Sequence, residues 1–75
     1  MKLPPMEPVK SSKIKAIGHD DNVNALYVEF MDGSVWKYWP VFDDDYYELK
    51  GSASIGSAQG KLVKGKYSHQ VKNKS

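Results

Sequence analysis

The residues of this chain that are able to do chemistry are few, and their spacing does not assemble an active site. A nucleophilic triad needs an activated hydroxyl, a buried histidine and an orienting acid. The histidines are His19, beside an acidic loop, and His69, near the C-terminus; neither is placed for that role, and His19 reads as structural. Asp20-x-Asn22-x-Asn24 copies the first ligand positions of a calcium loop, but Ala25 stands where the turn needs glycine and Met31 where the chelating glutamate belongs. Gly56-Ser57-Ala58-Gln59-Gly60-Lys61-Leu62 is one residue short of a phosphate loop and has Leu62 where magnesium needs a hydroxyl. The run Asp43-Asp44-Asp45 cannot converge on one ion from a helix, because successive helical side chains point in different directions. The expectation is therefore a binder without cofactor or metal, not an enzyme.

The residues suited to binding are aromatic and basic. Tyr27, Lys37 and Trp39, with Lys13 and Lys15, would form an outward platform able to stack on bases, and Lys61, Lys64 and Lys66 would add phosphate contacts. The same aromatics would also suit a protein interface, or could simply cover a small sheet beneath the N-terminal residues. Charge is segregated: residues 1–19 carry +3, residues 20–48 carry −7 and residues 49–75 carry +6, with no arginine anywhere. An acidic middle without arginine forks argues against a dedicated duplex reader.

These side chains must be held by very little protein. The chain has 75 residues, 40% of them hydrophobic, enough for one two-layer core. The absence of cysteine leaves packing, or packing plus a partner, to hold the fold and fits a reducing, cytoplasmic setting. No signal-peptide or membrane-length apolar run is present.

Ile14 and Ala16 alternate with Lys13 and Lys15 in a first strand, with Ile17 breaking the pattern; Leu26, Val28 and Phe30 alternate in a second. Asp32-Gly33 turns the chain into a third strand over Val35 to Trp39. A three-residue loop of Met31, Asp32 and left-handed Gly33 sets Val28 opposite Trp36 and Leu26 opposite Tyr38. A two-residue loop would instead push Lys37 into the apolar face. Tyr27, Glu29, Val35, Lys37 and Trp39 are then left on the outer face.

Pro40 ends the strand, and the acidic run starts a helix whose Phe42, Tyr46 and Leu49 cover the core, with Gly51 as a left-handed stop. Ser54 would cap a second helix to about Lys64, with Ile55, Ala58 and Leu62 along one side. The expected fold is α+β: a three-stranded antiparallel meander, one helix packed on a face, a short second helix and flexible termini. An extended arm occupies 1–12, a single domain 13–65 and a flexible basic tail 66–75.

The series Val9-x-Ser11-Ser12-x-Ile14-x-x-Ile17-Gly18-His19-Asp20, Leu26-x-Val28-x-Phe30-x-x-Gly33, Trp36-x-Tyr38 and Ala53-Ser54-Ile55-Gly56 resembles the KTSC domain over about residues 9 to 67. His19 stands where that family has a tyrosine, and Trp36-Lys37-Tyr38 replaces its Tyr-x-Tyr centre. The resemblance implies a small α+β domain with RNA binding as its suggested activity. The chain also resembles small phage-encoded regulators that bind host RNA polymerase. That likeness implies the leading expectation, a monomer inhibiting transcription initiation by contact with core polymerase subunits, with a module binding single-stranded RNA as the alternative. The arm (Met1, Lys2, Leu3, Met6, Val9, Lys10) and Tyr27, Lys37 and Trp39 would then anchor the partner, and Asp43, Asp44 and Asp45 would meet its basic surface.

Overall fold

The structure, a computed structural model, describes residues 3–73. Its elements are β1 (Glu7–Pro8), β2 (Ile14–Asp20), β3 (Ala25–Phe30), β4 (Val35–Trp39), α1 (Asp43–Lys50), α2 (Ile55–Leu62) and β5 (Tyr67–Lys72). The strands form one antiparallel sheet in the order β1-β2-β3-β4-β5. The architecture is α+β as expected, but the sheet has five strands where the sequence suggested three.

The central hairpin follows its patterning. Gly33 lies at φ 90, a left-handed conformation that glycine enters without steric cost. The Phe30 and Gly33 amides donate to the carbonyls of Ser34 and Phe30, each at 2.9 Å. Asp32 Oδ1 ties the loop by accepting from the Ser34 amide at 2.9 Å and its hydroxyl at 2.6 Å. Val28 therefore faces Trp36 and Leu26 faces Tyr38.

In β2 the alternation is broken by a bulge between Ile14 and Ala16. The extra residue shifts parity, so Ile14 and Ile17 share the helix-facing core while Ala16 moves opposite Glu29 to the other face. That is why Ile17, not Ala16, continues the row that faces the helices.

The two strands added by the structure come from the segments read as an arm and a tail. Glu7 and Pro8 pair with Ile17 and Ala16. At the other end Gly65, at φ 80, turns the chain back so that β5 runs along β4. Tyr67, His69 and Val71 alternate with Ser68, Gln70 and Lys72, a period-two pattern that the lysines around it mask.

The helices close the inner face. Ile14, Ile17, Leu26 and Val28 pack with Val41, Tyr46, Leu49 and Ile55 in one buried cluster. Phe42, expected in that core, is 54% exposed, and Val41 takes its place at 0%. The backbone at Phe42 is extended (φ −90, ψ 167), so neighbouring side chains point to opposite sides. Gly51 does not provide a left-handed stop: it lies at φ −84, and its amide reaches the Tyr47 carbonyl at 3.1 Å. Helix α2 ends at Leu62 instead of Lys64, and Ser54 precedes it without a side-chain capping bond. No helix among the described residues is long and apolar enough to cross a membrane.

Replacing Leu26, fully buried in the inner cluster, by alanine should cost about 2–5 kcal/mol, read as a lowered urea midpoint. A second prediction concerns alkaline pH. Burial raises the Tyr38 phenol above its ordinary 10.0, outweighing the lowering effect of its hydrogen bond with Gln59. Its proton is thus held more tightly in the folded state, so this contribution is undiminished below pH 10.0 and falls as pH rises past it. A Tyr38→Phe variant should show a flatter alkaline limb in a series of unfolding curves.

Candidate functional site

Pairing across four strands lines up Gly18, Tyr27, Lys37 and His69 in one row on the outer face, the face turned away from the helices. Beside it lie Trp39 and Tyr67, themselves cross-strand partners. The Trp39 and Tyr67 rings stack with centroids 5.8 Å apart and an interplanar angle of 27°. Lys37 Nζ sits 5.3 Å from the Trp39 ring centroid and 5.9 Å from that of Tyr27, near enough for each ring face to attract the ammonium. Tyr67 is 71% exposed, and His69 is exposed next to Lys37 in register.

The other half of this face is covered. Tyr27 is 3% exposed and forms a second buried cluster with Ala25 and Val35. Leu3 and Met6 from the N-terminal segment, and Trp39 and Val71 from the sheet, pack against that cluster. Gly18 makes this cover possible: a Cβ there would lie 2.7 Å from both Met6 Sδ and the Pro5 carbonyl oxygen, and 3.3 Å from Pro4 Cγ. Glu7 pairs with Lys50 at 2.8 Å and fastens the segment to α1, and this hydrogen bond raises the Lys50 ammonium above its usual range. The expected platform is therefore shifted by one strand: Tyr27 lies beneath the arm, and Tyr67 takes its place at the surface.

The remaining expected residues do not join this surface as a group. Met1 and Lys2 lie outside the described residues. Val9 packs against the inner core. Lys10 and Lys13 line a polar hollow of about 200 Å³ at the start of α2. Lys15 is exposed at the bulge of β2. Lys61 lines, together with Asp45 and Glu48, a groove of about 510 Å³ between the helices. Lys64 is exposed and Lys66 half-buried in the turn leading to β5. Asp43 and Asp44 are exposed in the first turn of α1, with Asp45 half-buried.

His19 has a structural setting. Its side chain is 5% exposed, Nε2 donates to the Val41 carbonyl, and Nδ1 lies 3.3 Å from Asp43 Oδ1. The ring stacks on Tyr46 at 5.2 Å and 19°, and burial raises the Tyr46 phenol above its ordinary range. This arrangement joins β2 to the start of α1. Among the described residues, no group of three or more His, Asp or Glu side chains could hold a metal ion.

A model of the KTSC domain matches residues 10–67, spanning β2 through α2 and the first residue of β5. The chain belongs to the KTSC domain family. A crystal structure of a KTSC domain protein from Yersinia pestis has the same fold: TM-score 0.83, 24% identity, 89% of this chain and 96% of that chain covered. No curated protein matches the chain, and the likeness to phage polymerase regulators gains no support. Within the KTSC domain, His19 occupies the position expected to hold tyrosine and still stacks as an aromatic. The Trp36-Lys37-Tyr38 centre splits between faces, Lys37 outward and Tyr38 toward the helices.

The two outer tyrosines should separate cleanly in stability measurements. Tyr27→Ala should cost about 3–5 kcal/mol, the range for removing a buried aromatic. Tyr67→Ala should stay within about 1 kcal/mol, since its ring is largely solvated and loses mainly one stacking contact. Chemical denaturation of both variants checks this.

Proposed function

We propose that this KTSC protein is a non-enzymatic module that binds single-stranded RNA through the open half of its outer sheet face. The observation that carries this reading is the Trp39–Tyr67 stack beside Lys37. Exposed aromatic faces next to ammonium groups accept bases of any sequence, because every base has a π-face and every nucleotide brings a phosphate. Each residue has a distinct task. Tyr67 offers the accessible ring and Trp39 backs it. Lys37 is held over Trp39, where it can meet a phosphate without leaving the aromatic surface. His69 extends the row to the sheet edge. The RNA-binding suggestion attached to the family agrees with this chemistry.

Contact with bacterial RNA polymerase is the second reading. It is favoured by the exposed carboxylates Asp43, Asp44 and Glu48 on α1, which would suit a basic protein surface. The arm that was to reach along a partner is folded against its own sheet, which leaves this reading with the acidic helix alone.

Fluorescence anisotropy with a short labelled oligouridylate tests the first reading. Trp39→Ala and Tyr67→Ala should each weaken binding by roughly 5- to 150-fold, the range for one lost stacking partner. Lys37→Gln should lower the salt slope by about 0.7. Lys61→Gln, on the helix side, should leave affinity unchanged. Loss of affinity on Lys61→Gln but not on Trp39→Ala would reject this face. Nuclease-resistant recovery of polymerase subunits from bacterial lysate, lost on charge reversal at Asp44 and Glu48, would favour the second reading.

A further inference from the structure

We propose that the slot over Gly18 on the outer sheet face is a recognition site for an extended protein segment with apolar residues on either side of a Pro-Pro pair. The chain's own Leu3-Pro4-Pro5-Met6 is its occupant in cis. This goes beyond the RNA reading, uses the opposite half of the face and does not depend on that reading.

The slot's chemistry is written in what fills it. Gly18 is the floor, and three successive arm residues sit where its side chain would be, through Pro4 Cγ, the Pro5 carbonyl and Met6 Sδ. Leu3 and Met6, three positions apart, both pack against the cluster of Ala25, Tyr27 and Val35. Two prolines between these anchors restrict φ and cannot donate backbone hydrogen bonds. Little conformational entropy is therefore lost on docking, the reason proline-rich segments suit aromatic-lined grooves.

The segment that fills the slot lies outside both the matched domain and the central strands. The family match begins at residue 10, after these residues. Among the described residues, sheet pairing of the arm is confined to Glu7 and Pro8, followed by the Val9 amide to the Lys15 carbonyl at 3.2 Å. Residues 3–6 belong to no strand and are held by Gly18 and the apolar cluster. A partner segment of the same pattern can replace them without unpairing the central strands. The tethered arm acts as a competitor whose effective concentration is of millimolar order.

The test uses the full-length chain. In a Leu3→Ser/Met6→Ser variant the arm loses both anchors while the helix-side core is unchanged. A synthetic peptide with the sequence of residues 1–8 is titrated into this variant and into the wild type, following the amide resonances of Gly18 and Tyr27. The variant should bind the peptide at least about tenfold more tightly than the wild type, in which the tethered arm competes. Adding Gly18→Ala, or replacing both apolar anchors in the peptide by serine, should abolish binding.

A folded double variant that shows no shifts at Gly18 and Tyr27 would overturn the proposal. If that variant does not fold, the wild type decides with the same peptide carrying a nitroxide label at millimolar concentration, and Gly18 and Tyr27 resonances left unbroadened there count equally against it. A wild-type dimer assembled by exchanged arms would also overturn the assignment, because the occupant would be a second copy and not a foreign segment. RNA affinity, measured separately through Trp39→Ala, does not enter these outcomes.

Discussion

A thin sheet with apolar residues on both faces needs two covers, and this requirement shapes the whole molecule. On the inner face, Leu26, Val28, Ile14 and Ile17 are closed off by α1, α2 and Val41. On the outer face, Ala25, Tyr27 and Val35 are shielded by Leu3 and Met6. Apolar burial contributes about 25 cal/mol per Å², so a chain of 75 residues cannot leave either face open without losing a substantial share of a small stability margin. The helices are too short to reach around the sheet. The second cover has to come from the arm, and the arm can lie flat only because residue 18 has no side chain.

The same economy explains why the outer face is divided. The arm reaches Gly18 and Tyr27 at one end of the row and stops short of Lys37 and His69 at the other end, beside which Trp39 and Tyr67 lie. Lys37 stands at the boundary, its ammonium near the rings of both Tyr27 and Trp39. One half of the face is a packed interface within the chain, and the other half is aromatic and basic, with Tyr67 and His69 exposed and Lys37 and Trp39 half-buried. Acidic residues collect on α1 across the sheet, so the molecule presents different electrostatic characters on its two sides. The KTSC domain is thus carried with a cis cover on one part of its outer surface, and the departure at His19 keeps the aromatic contact with Tyr46 while adding a link to Val41 and Asp43.

Local rules were enough wherever neighbours in sequence are neighbours in space. The Asp32-Gly33 turn, the register of Leu26 and Val28 against Tyr38 and Trp36, the outward set containing Lys37 and Trp39, and the helix start at Asp43 all follow from period-two alternation, turn chemistry and the preference of acids for a helix N-terminus. These were legible because a slip of one residue would exchange the two faces of the hairpin and push Lys37 into the inner apolar row, and the motif pattern from Val9 to Gly56 placed the chain in its family. The misplaced details were short-range competitions: the bulge that turns Ile17 instead of Ala16 toward the helices, and the extended backbone that turns Phe42 outward and Val41 inward.

Tertiary structure alone decided what happens at the two ends. Whether residues 3–8 dangle or cover Tyr27 depends on a glycine ten or more positions away and on the outer apolar cluster. Whether residues 67–72 fray or form a strand depends on the free edge of β4, about thirty or more residues earlier in the chain. Propensity and charge in a lysine-rich tail speak for solvent; an available sheet edge, the Val71 contact and the Trp39–Tyr67 stack outweigh them. The sequence determined the central hairpin, the helices and the aromatic and basic inventory. Contacts distant in sequence determined which of those aromatics are structural and which are open to a partner, because burial is a property of the assembled surface and not of any local stretch of chain.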